Sequence, residues 1–216
     1  MNRLSLFLIA GWLSLCPPVV IPATAADVVQ VFILAGQSNM EGHGNVELTA
    51  QDRARMTKQQ TFQRDKNGYL EYLAKQSPDK QQFKHLLDVD GNWAQREDVW
   101  FVWKKPGRDA GQVVSKLTVG LGAGEPGKIG PELQFGHVMG DHFQEPVLLI
   151  KTAWGGKSLA IDFRPPSAGM PEPHVLQSRL DRLNEDHVKN KREPVSMAEM
   201  KREYGLYYRQ MIDEVD

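Results

Sequence analysis

The fold is decided by the stretch Val31-Phe-Ile-Leu-Ala-Gly-Gln-Ser-Asn-Met-Glu-Gly-His-Gly44, in which a short apolar run ends at small and polar residues. Residues 31–35 are too few for a helix and are rich in β-branched and aromatic side chains, which predicts a buried strand. Gly36 then permits a tight bend, and Ser38 follows two residues later. Because open α/β sheets bind ligands at the carboxyl ends of their strands, the Ser38 hydroxyl is predicted at that edge.

Two more apolar runs are predicted to be strands, at residues 99–103 and 147–151. A helix is predicted over residues 131–142, since Pro131 is tolerated in a first turn and Glu132 complements the positive helix end. Strands separated by crossover-length segments predict an α/β three-layer fold with a parallel sheet, in which residues 31–35 are central.

The other segments carry local signals only. Residues 46–64 could form an exposed helix, and residues 69–75 a short amphipathic one. Residues 107–130 are predicted to be a glycine-rich loop. A single helix is predicted over residues 197–215, because Ser196 and Glu199 have the spacing of a capping box.

An acidic stretch, residues 88–93, resembles the start of a calcium loop through Asp88, Asp90 and Asn92. The later positions lack the glycine and the bidentate glutamate that such a loop requires. A tight polar turn before the second strand is therefore predicted instead.

The N-terminal residues have the pattern of a signal peptide. Arg3 supplies positive charge, residues 4–16 are almost wholly apolar, and Ala23-Thr-Ala25 matches a cleavage site. The apolar core is shorter than the roughly 18 to 20 residues that span a bilayer. We expect removal of residues 1–25, a mature domain over residues 26–216 without a membrane span, and a secreted or periplasmic location.

The composition is that of a globular protein, with 216 residues, 41% of them hydrophobic, and a formal net charge of −1. A nucleic-acid partner is not expected, because there is no basic excess. The single cysteine, Cys16, falls in the signal segment, so disulfides, a thiol nucleophile and cysteine zinc sites are excluded from the mature chain. No metal and no cofactor are expected.

The string Ala35-Gly-Gln-Ser-Asn-Met-Glu-Gly42 resembles the first motif of the SGNH hydrolases, in the version carried by the sialate O-acetylesterase and acetylxylan esterase families. The resemblance implies that Ser38 attacks an acetyl carbonyl and that its backbone N–H helps to hold the oxyanion. Gly130 resembles the second-motif glycine, whose backbone N–H donates to the oxyanion hole. The substrate pocket would be formed by Gln37, Asn39, Gly155 and Gly156.

Structural alternatives exist for several of these residues. Ser38 could instead be a helix N-cap, and Gly130 could be a loop glycine that needs a positive φ. Ser158 is a rival nucleophile by type, although a binding or capping role is the safer interpretation.

A serine nucleophile needs a base and a carboxylate that holds the base. The families that this chain resembles take both from an Asp-x-x-His motif near the C-terminus, and a third motif supplies a Gln or Asn to the oxyanion hole. Neither motif is found here, so the chain is interpreted as the N-terminal part of such a domain. The six histidines are expected at the surface, and His43 is the strongest substitute base.

The expected function is that of an exported carbohydrate O-acetylesterase, a serine-dependent ester hydrolase acting on an acetylated carbohydrate. This chain alone is expected to be a poor catalyst, with residues 147–150 exposed as a sheet edge. The alternative is a non-catalytic carbohydrate-binding or scaffold domain that keeps the fold but lacks the base.

Overall fold

A computed structural model describes residues 28–47, 69–104, 111–123 and 127–216. The strands in these ranges are β1 Gln30–Gly36, β2 Gly44–Asn45, β3 Arg96–Lys104, β4 Gln112–Leu117, β5 Lys128–Ile129 and β6 Val147–Ala153. The α-helices there are α1 Ser38–Glu41, α2 Leu70–Lys75, α3 Pro131–His142, α4 Pro173–Lys189, α5 Met197–Arg202 and α6 Leu206–Val215. No helix within these ranges has the length and apolar character needed to cross a membrane.

Four strands form one mixed sheet in the order β1-β6-β3-β4. β1 and β3 each pair in parallel with β6, which confirms the parallel arrangement predicted for the three apolar runs. β4 pairs antiparallel with β3 and forms one edge of the sheet. Because α3 and α6 both contact the sheet, the architecture agrees with the predicted three-layer α/β/α fold.

The interior strands of the sheet are β6 and β3, so the prediction that residues 31–35 are central is wrong. β1 is an edge of the four-stranded sheet, and Val31 and Ile33 are 50% and 49% exposed. The prediction that residues 147–150 form an exposed edge is wrong as well, since Val147 and Leu149 are fully buried between β1 and β3. An apolar run indicates burial but does not identify which strands lie beside it.

Helix α3 packs on the face of the sheet that forms the main core. Neighbouring side chains on this face are Phe32, Leu149 and Phe101 in one row, and Leu34, Lys151 and Trp103 in the next. Phe135 of α3 meets Phe32 edge-on, with ring centroids 5.2 Å apart. Gly136 lets the helix approach closely, because a Cβ at that position would lie 2.9 Å from Leu149 Cδ1.

The opposite face of the sheet is apolar and partly exposed. Its cross-strand rows contain Val31, Leu148 and Trp100, and then Ile33, Ile150, Val102 and Val114. Val114 is 58% exposed and Trp100 is 42% exposed. Contiguous exposed apolar side chains of this kind favour association with other apolar surfaces.

Several local predictions are confirmed. Helix α3 begins at Pro131 and ends at His142, and α2 occupies the predicted amphipathic segment. The stretch at residues 88–93 is a polar turn, in which Asp88 Oδ1 accepts from the backbone N–H groups of Asp90 and Asn92 at 2.9 Å each. The capping box at Ser196 and Glu199 is present.

Other segments differ from their predictions. The glycine-rich segment predicted as a loop contains β4 and β5. Helix α4 was missed, although Leu176, Leu180 and Leu183 recur at helical spacing and pack in one cluster. The single helix predicted over residues 197–215 is two helices, because Gly205 adopts φ 70° between them. The signal segment and most of the helix predicted at residues 46–64 lie outside the described residues.

Candidate active site

Ser38 follows the end of β1 and begins a single helical turn at the carboxyl end of the sheet. It is the first residue of α1, and the N-cap position belongs to Gln37, which makes no side-chain capping bond. The Ser38 hydroxyl donates to Gln37 Oε1 at 3.3 Å. The N-cap alternative for Ser38 is therefore wrong. The Ser38 side chain is partly exposed, and its hydroxyl does not cap the helix.

The carboxyl ends of β1 and β6 bring the Gly155 segment beside this turn. Gly36 is paired with Ala153, and the Trp154 N–H donates to Gly36 O at 3.1 Å. A Cβ on Gly155 would lie 2.9 Å from Glu41 Oε2, so Gly155 is next to the carboxylate of the Ser38 turn. Of the other residues predicted in the pocket, Gln37 and Asn39 flank Ser38 at this edge, and Gly156 follows Gly155 with φ 72°.

Gly130 and Gly42 meet backbone to backbone on the other side of the turn. A Cβ on Gly130 would lie 2.8 Å from the Gly42 Cα. Gly42 itself has φ 88°, a conformation that favours glycine. Gly130 has φ −132°, so the alternative that it needs a positive φ is wrong. Both glycines are required for close approach of the Ser38 turn to the start of α3.

The Gly130 N–H donates to Glu132 Oε1 at 2.7 Å. Glu132 Oε2 in turn accepts from Lys151 Nζ at 2.7 Å, and both side chains are fully buried. Sequence reasoning missed this pair. The available signal was a lysine at the end of an otherwise apolar, buried strand, since a buried charge needs a partner.

His43 is the histidine nearest to Ser38 in sequence, and its Nε2 lies 3.5 Å from Glu41 Oε2. The His43 side chain is 58% exposed and that of Glu41 only 10%. A carboxylate in this position can orient an imidazole. Among the described residues, no group of three or more His, Cys, Asp or Glu side chains could hold a metal ion.

The expectation of surface histidines fails at His137, which is 4% exposed. Burial lowers its pKa to about 4, and the neighbouring His85 and Arg96 act in the same direction. The rings of His137 and His85 meet edge-on at 5.0 Å. The position of His137 on α3 is a local property of the sequence, whereas its burial depends on groups from other segments, His85 and Arg96 among them.

Ser158 is held within a turn that follows β6. Its Oγ donates to Asp162 Oδ2 at 3.1 Å and accepts from the Ile161 N–H at 3.2 Å. The backbone N–H of Ser158 also donates to Asp162 Oδ2, at 2.8 Å. These bonds confirm the capping interpretation of Ser158.

Ser38 therefore lies in an α/β protein at the carboxyl end of an edge strand, the edge at which open α/β sheets bind ligands. A family model described as "Carbohydrate esterase, sialic acid-specific acetylesterase" matches residues 28–193. The chain belongs to this family, which confirms the resemblance to the SGNH, sialate O-acetylesterase-like domains.

Similarity to solved structures is more distant. The X-ray structure of a protein from Arabidopsis thaliana shares 16% identity with this chain, with a TM-score of 0.28. The match covers 76% of this chain and 53% of that one, so the chain spans about half the length of this relative. No curated protein matches the chain.

Proposed function

We propose that this carbohydrate esterase removes acetyl groups from sugars and that Ser38 is its nucleophile. The observation that carries the proposal is the position of Ser38, at the carboxyl end of β1 with a hydroxyl that does not cap α1. The family match supports an acetyl ester on a carbohydrate as the substrate. The signal pattern at residues 1–25 supports action outside the cytoplasm.

In the proposed reaction, Ser38 Oγ forms a bond to the acetyl carbonyl carbon while a base accepts the hydroxyl proton. The carbonyl electrons move to the oxygen, which the Ser38 N–H stabilises. Collapse of this intermediate breaks the bond to the sugar oxygen, which leaves with the proton. Water then hydrolyses acetyl-Ser38 and releases acetate.

The enclosing residues are proposed to position the substrate. Gln37 and Asn39 flank the nucleophile, while Gly155 and Gly156 leave space beside it. Gly130 is proposed as the second oxyanion donor. Because its N–H already donates to Glu132 Oε1, this role requires the hydrogen to be shared between the carboxylate and the oxyanion.

We propose that the base and its carboxylate are not supplied by this chain. Three histidines are occupied elsewhere: His85 bonds to Gln134, His187 bonds to Glu193 O, and His137 is buried against His85. His43 is the rival, since it has a carboxylate partner in Glu41 and follows the nucleophile turn. The chain alone is accordingly proposed to turn over slowly.

One observation favours a second candidate, a non-catalytic carbohydrate-binding domain. The Gly130 N–H is satisfied by Glu132, which leaves less donor capacity for an oxyanion than an unoccupied N–H would. Such a domain would bind an acetylated sugar at the same edge without forming acetyl-Ser38.

The test combines labelling by a fluorophosphonate probe, located by mass spectrometry, with acetate release from an acetylated carbohydrate. We expect slow modification at Ser38, loss of both signals in Ser38→Ala, and no change in His43→Ala. Ser158→Ala tests the rival nucleophile, and Ser178→Ala on α4 is the matched control. Probe labelling that persists in Ser38→Ala would refute the assignment of Ser38 as the nucleophile. Loss of labelling and of acetate release in His43→Ala would identify His43 as the base. Sugar binding without any labelling would favour the second candidate.

A further inference from the structure

Lys151 lies at the centre of the sheet, directly beneath the Ser38 turn. Its position on β6 places it between Leu34 of β1 and Trp103 of β3. The side chain is fully buried, and its Nζ lies 4.6 Å from the Trp103 ring centroid. A buried ammonium requires both charge compensation and hydrogen-bond acceptors.

The acceptors of Lys151 come from three segments that are far apart in sequence. Nζ donates to Glu132 Oε2 at 2.7 Å on α3, to Glu41 O at 2.9 Å in α1, and to Leu121 O at 3.4 Å. The first two segments carry Gly130 and Ser38. One cation therefore connects both sides of the candidate site.

Glu132 extends this connection to the backbone of Gly130. Its Oε2 faces Lys151, and its Oε1 accepts from the Gly130 N–H at 2.7 Å. The carboxylate orientation therefore fixes the peptide that enters α3.

The hydrogen bond from Lys151 to Leu121 O connects the glycine-rich segment to the same network. Two residues further on, the Ala123 N–H donates to Gly42 O at 2.8 Å, and Gly42 packs against Gly130. The turn after Ser38 is thus held from beneath by Lys151 and from the side by backbone contacts.

We propose that Lys151 and Glu132 are positioning residues for the esterase site, which rests on the proposed function of Ser38. Neither side chain is exposed to substrate, so both act through the backbone atoms that they hold. The pair sets the spacing between the Ser38 turn and the Gly130 peptide. Loss of the pair lowers the rate of acyl transfer without a matching loss of substrate binding.

The main test variant is Lys151→Met with Glu132→Gln, which removes both charges and leaves neither buried alone. The matched control is Arg179→Met with Glu203→Gln, an ion pair joining α4 to the segment after α5. Kinetics with p-nitrophenyl acetate separate kcat from KM, because its good leaving group makes slow catalysis measurable. We expect kcat to fall at least tenfold with KM within threefold, and the control to stay within twofold of the parent chain.

Amide hydrogen exchange measured by NMR reports on positioning without any need for activity. We expect protection of the Gly42, Ala123 and Gly130 amides to fall at least tenfold in the double variant. Protection of the Asn190 amide, at the end of α4, should remain within twofold. If the double variant does not fold, Glu132→Gln alone, which keeps an acceptor for Gly130, should show the same changes at smaller size.

Three outcomes overturn the inference: unchanged protection at the three site amides, unchanged kcat with lost protection, or KM and kcat changing in proportion. A parent chain without Ser38-dependent activity refutes the proposed function instead. Exchange at Gly42 and Gly130 then still decides whether Lys151 and Glu132 hold the two backbones together.

Discussion

Lys151 Nζ and Glu132 Oε2 lie 2.7 Å apart, and both side chains are fully removed from solvent. Burial of two charges carries a desolvation cost that their attraction repays only with good geometry and additional hydrogen bonds. Both conditions are met, since Lys151 also donates to two carbonyls and Glu132 also accepts from Gly130. Replacing only one residue of the pair should therefore strongly destabilise the fold, because it leaves the other charge buried without its partner.

The first prediction concerns stability. Lys151→Met should lower the free energy of unfolding by about 3–5 kcal/mol, because Glu132 is left buried without its cation. Glu132→Gln should act in the same direction. The double variant should lose less than the sum of the single losses. Urea denaturation of the four chains measures this coupling, and additive losses would contradict it.

A control for this cycle is the pair of Arg179 and Glu203, whose side chains are 24% and 48% exposed. Partly exposed ion pairs contribute little, so the same substitutions there should cost only about 0–1 kcal/mol. An equal loss at both sites would show that burial is not the cause.

The second prediction sets helix propensity against packing at Gly136. Alanine is favoured over glycine inside a helix by about 1 kcal/mol. At this site, however, the added Cβ would clash with Leu117 and lie 2.9 Å from Leu149 Cδ1, and both leucines are fully buried. We expect packing to dominate and Gly136→Ala to destabilise the chain by about 1–3 kcal/mol. A stabilised variant in thermal denaturation would show that α3 can move off the sheet.

The fold was predictable where each element carries its own signal. The three apolar runs form parallel strands, and Pro131 marks the start of α3, because strand length and proline geometry are local properties. The order of the strands was not predictable in this way. β6 is central because it pairs with both β1 and β3, a relation between segments that no single segment encodes.

In the candidate site, too, the local features could be predicted from the sequence and the contacts between distant segments could not. The motif around Ser38 could be identified from the chain, because its residue types are contiguous. The contact between Gly42 and Gly130 and the bonds of Lys151 could not, since they join residues far apart in sequence. Helix α4 was missed because Pro173 and its polar majority resemble the proline-rich loop before it.

The third prediction concerns the pH dependence of stability. Burial lowers the pKa of His137 to about 4, below the ordinary histidine pKa of 6.5. As the pH falls from 6.5 towards 4, the unfolded chain gains a proton at this residue that the folded chain does not, so stability falls. The loss should reach about 3 kcal/mol at the lower end of this window. The measurement is denaturation between pH 4.5 and 7, and His137→Phe should flatten this slope.

The charged groups around His137 require a control for this measurement. Asp98 and Asp141 face it as well, and a hydrogen bond from Arg96 holds the pKa of Asp98 below its ordinary value. A carboxylate of that kind loses its stabilising effect only at still lower pH. Asp98→Asn should leave the slope between pH 4.5 and 7 in place. If the slope disappears in Asp98→Asn, the pH dependence is caused by Asp98 and the assignment to His137 is wrong.

The fourth prediction addresses the exposed apolar face of the sheet. Val31 and Ile33 lie on it at the edge strand β1, each about half exposed. Replacing both by threonine keeps β-branched side chains but reduces apolar surface, so self-association of the chain should decrease. Sedimentation velocity over a concentration series measures this. Val188→Thr on α4, an exposed residue outside the sheet, is the control and should change nothing. Equal association in all three chains would show that this face is not involved.

The last prediction separates backbone strain from packing at Gly42. Gly42 has φ 88°, and Gly91 has a similar φ of 79° in a surface turn. A Cβ at Gly91 meets nothing within 4 Å, whereas one at Gly42 would clash with the Gly130 backbone and lie 2.7 Å from Ile129 O. Gly91→Ala should therefore cost only the strain of a positive φ, about 1–2 kcal/mol.

Gly42→Ala should cost more than Gly91→Ala, because a clash between two backbones cannot be relieved by a change of rotamer. It should also slow labelling of Ser38 and reduce exchange protection of the Gly130 amide, since the turn must move away from α3. Gly91→Ala should leave both measurements unchanged. If the two variants lose equal stability and label at the same rate, the contact between Gly42 and Gly130 does not set the position of Ser38.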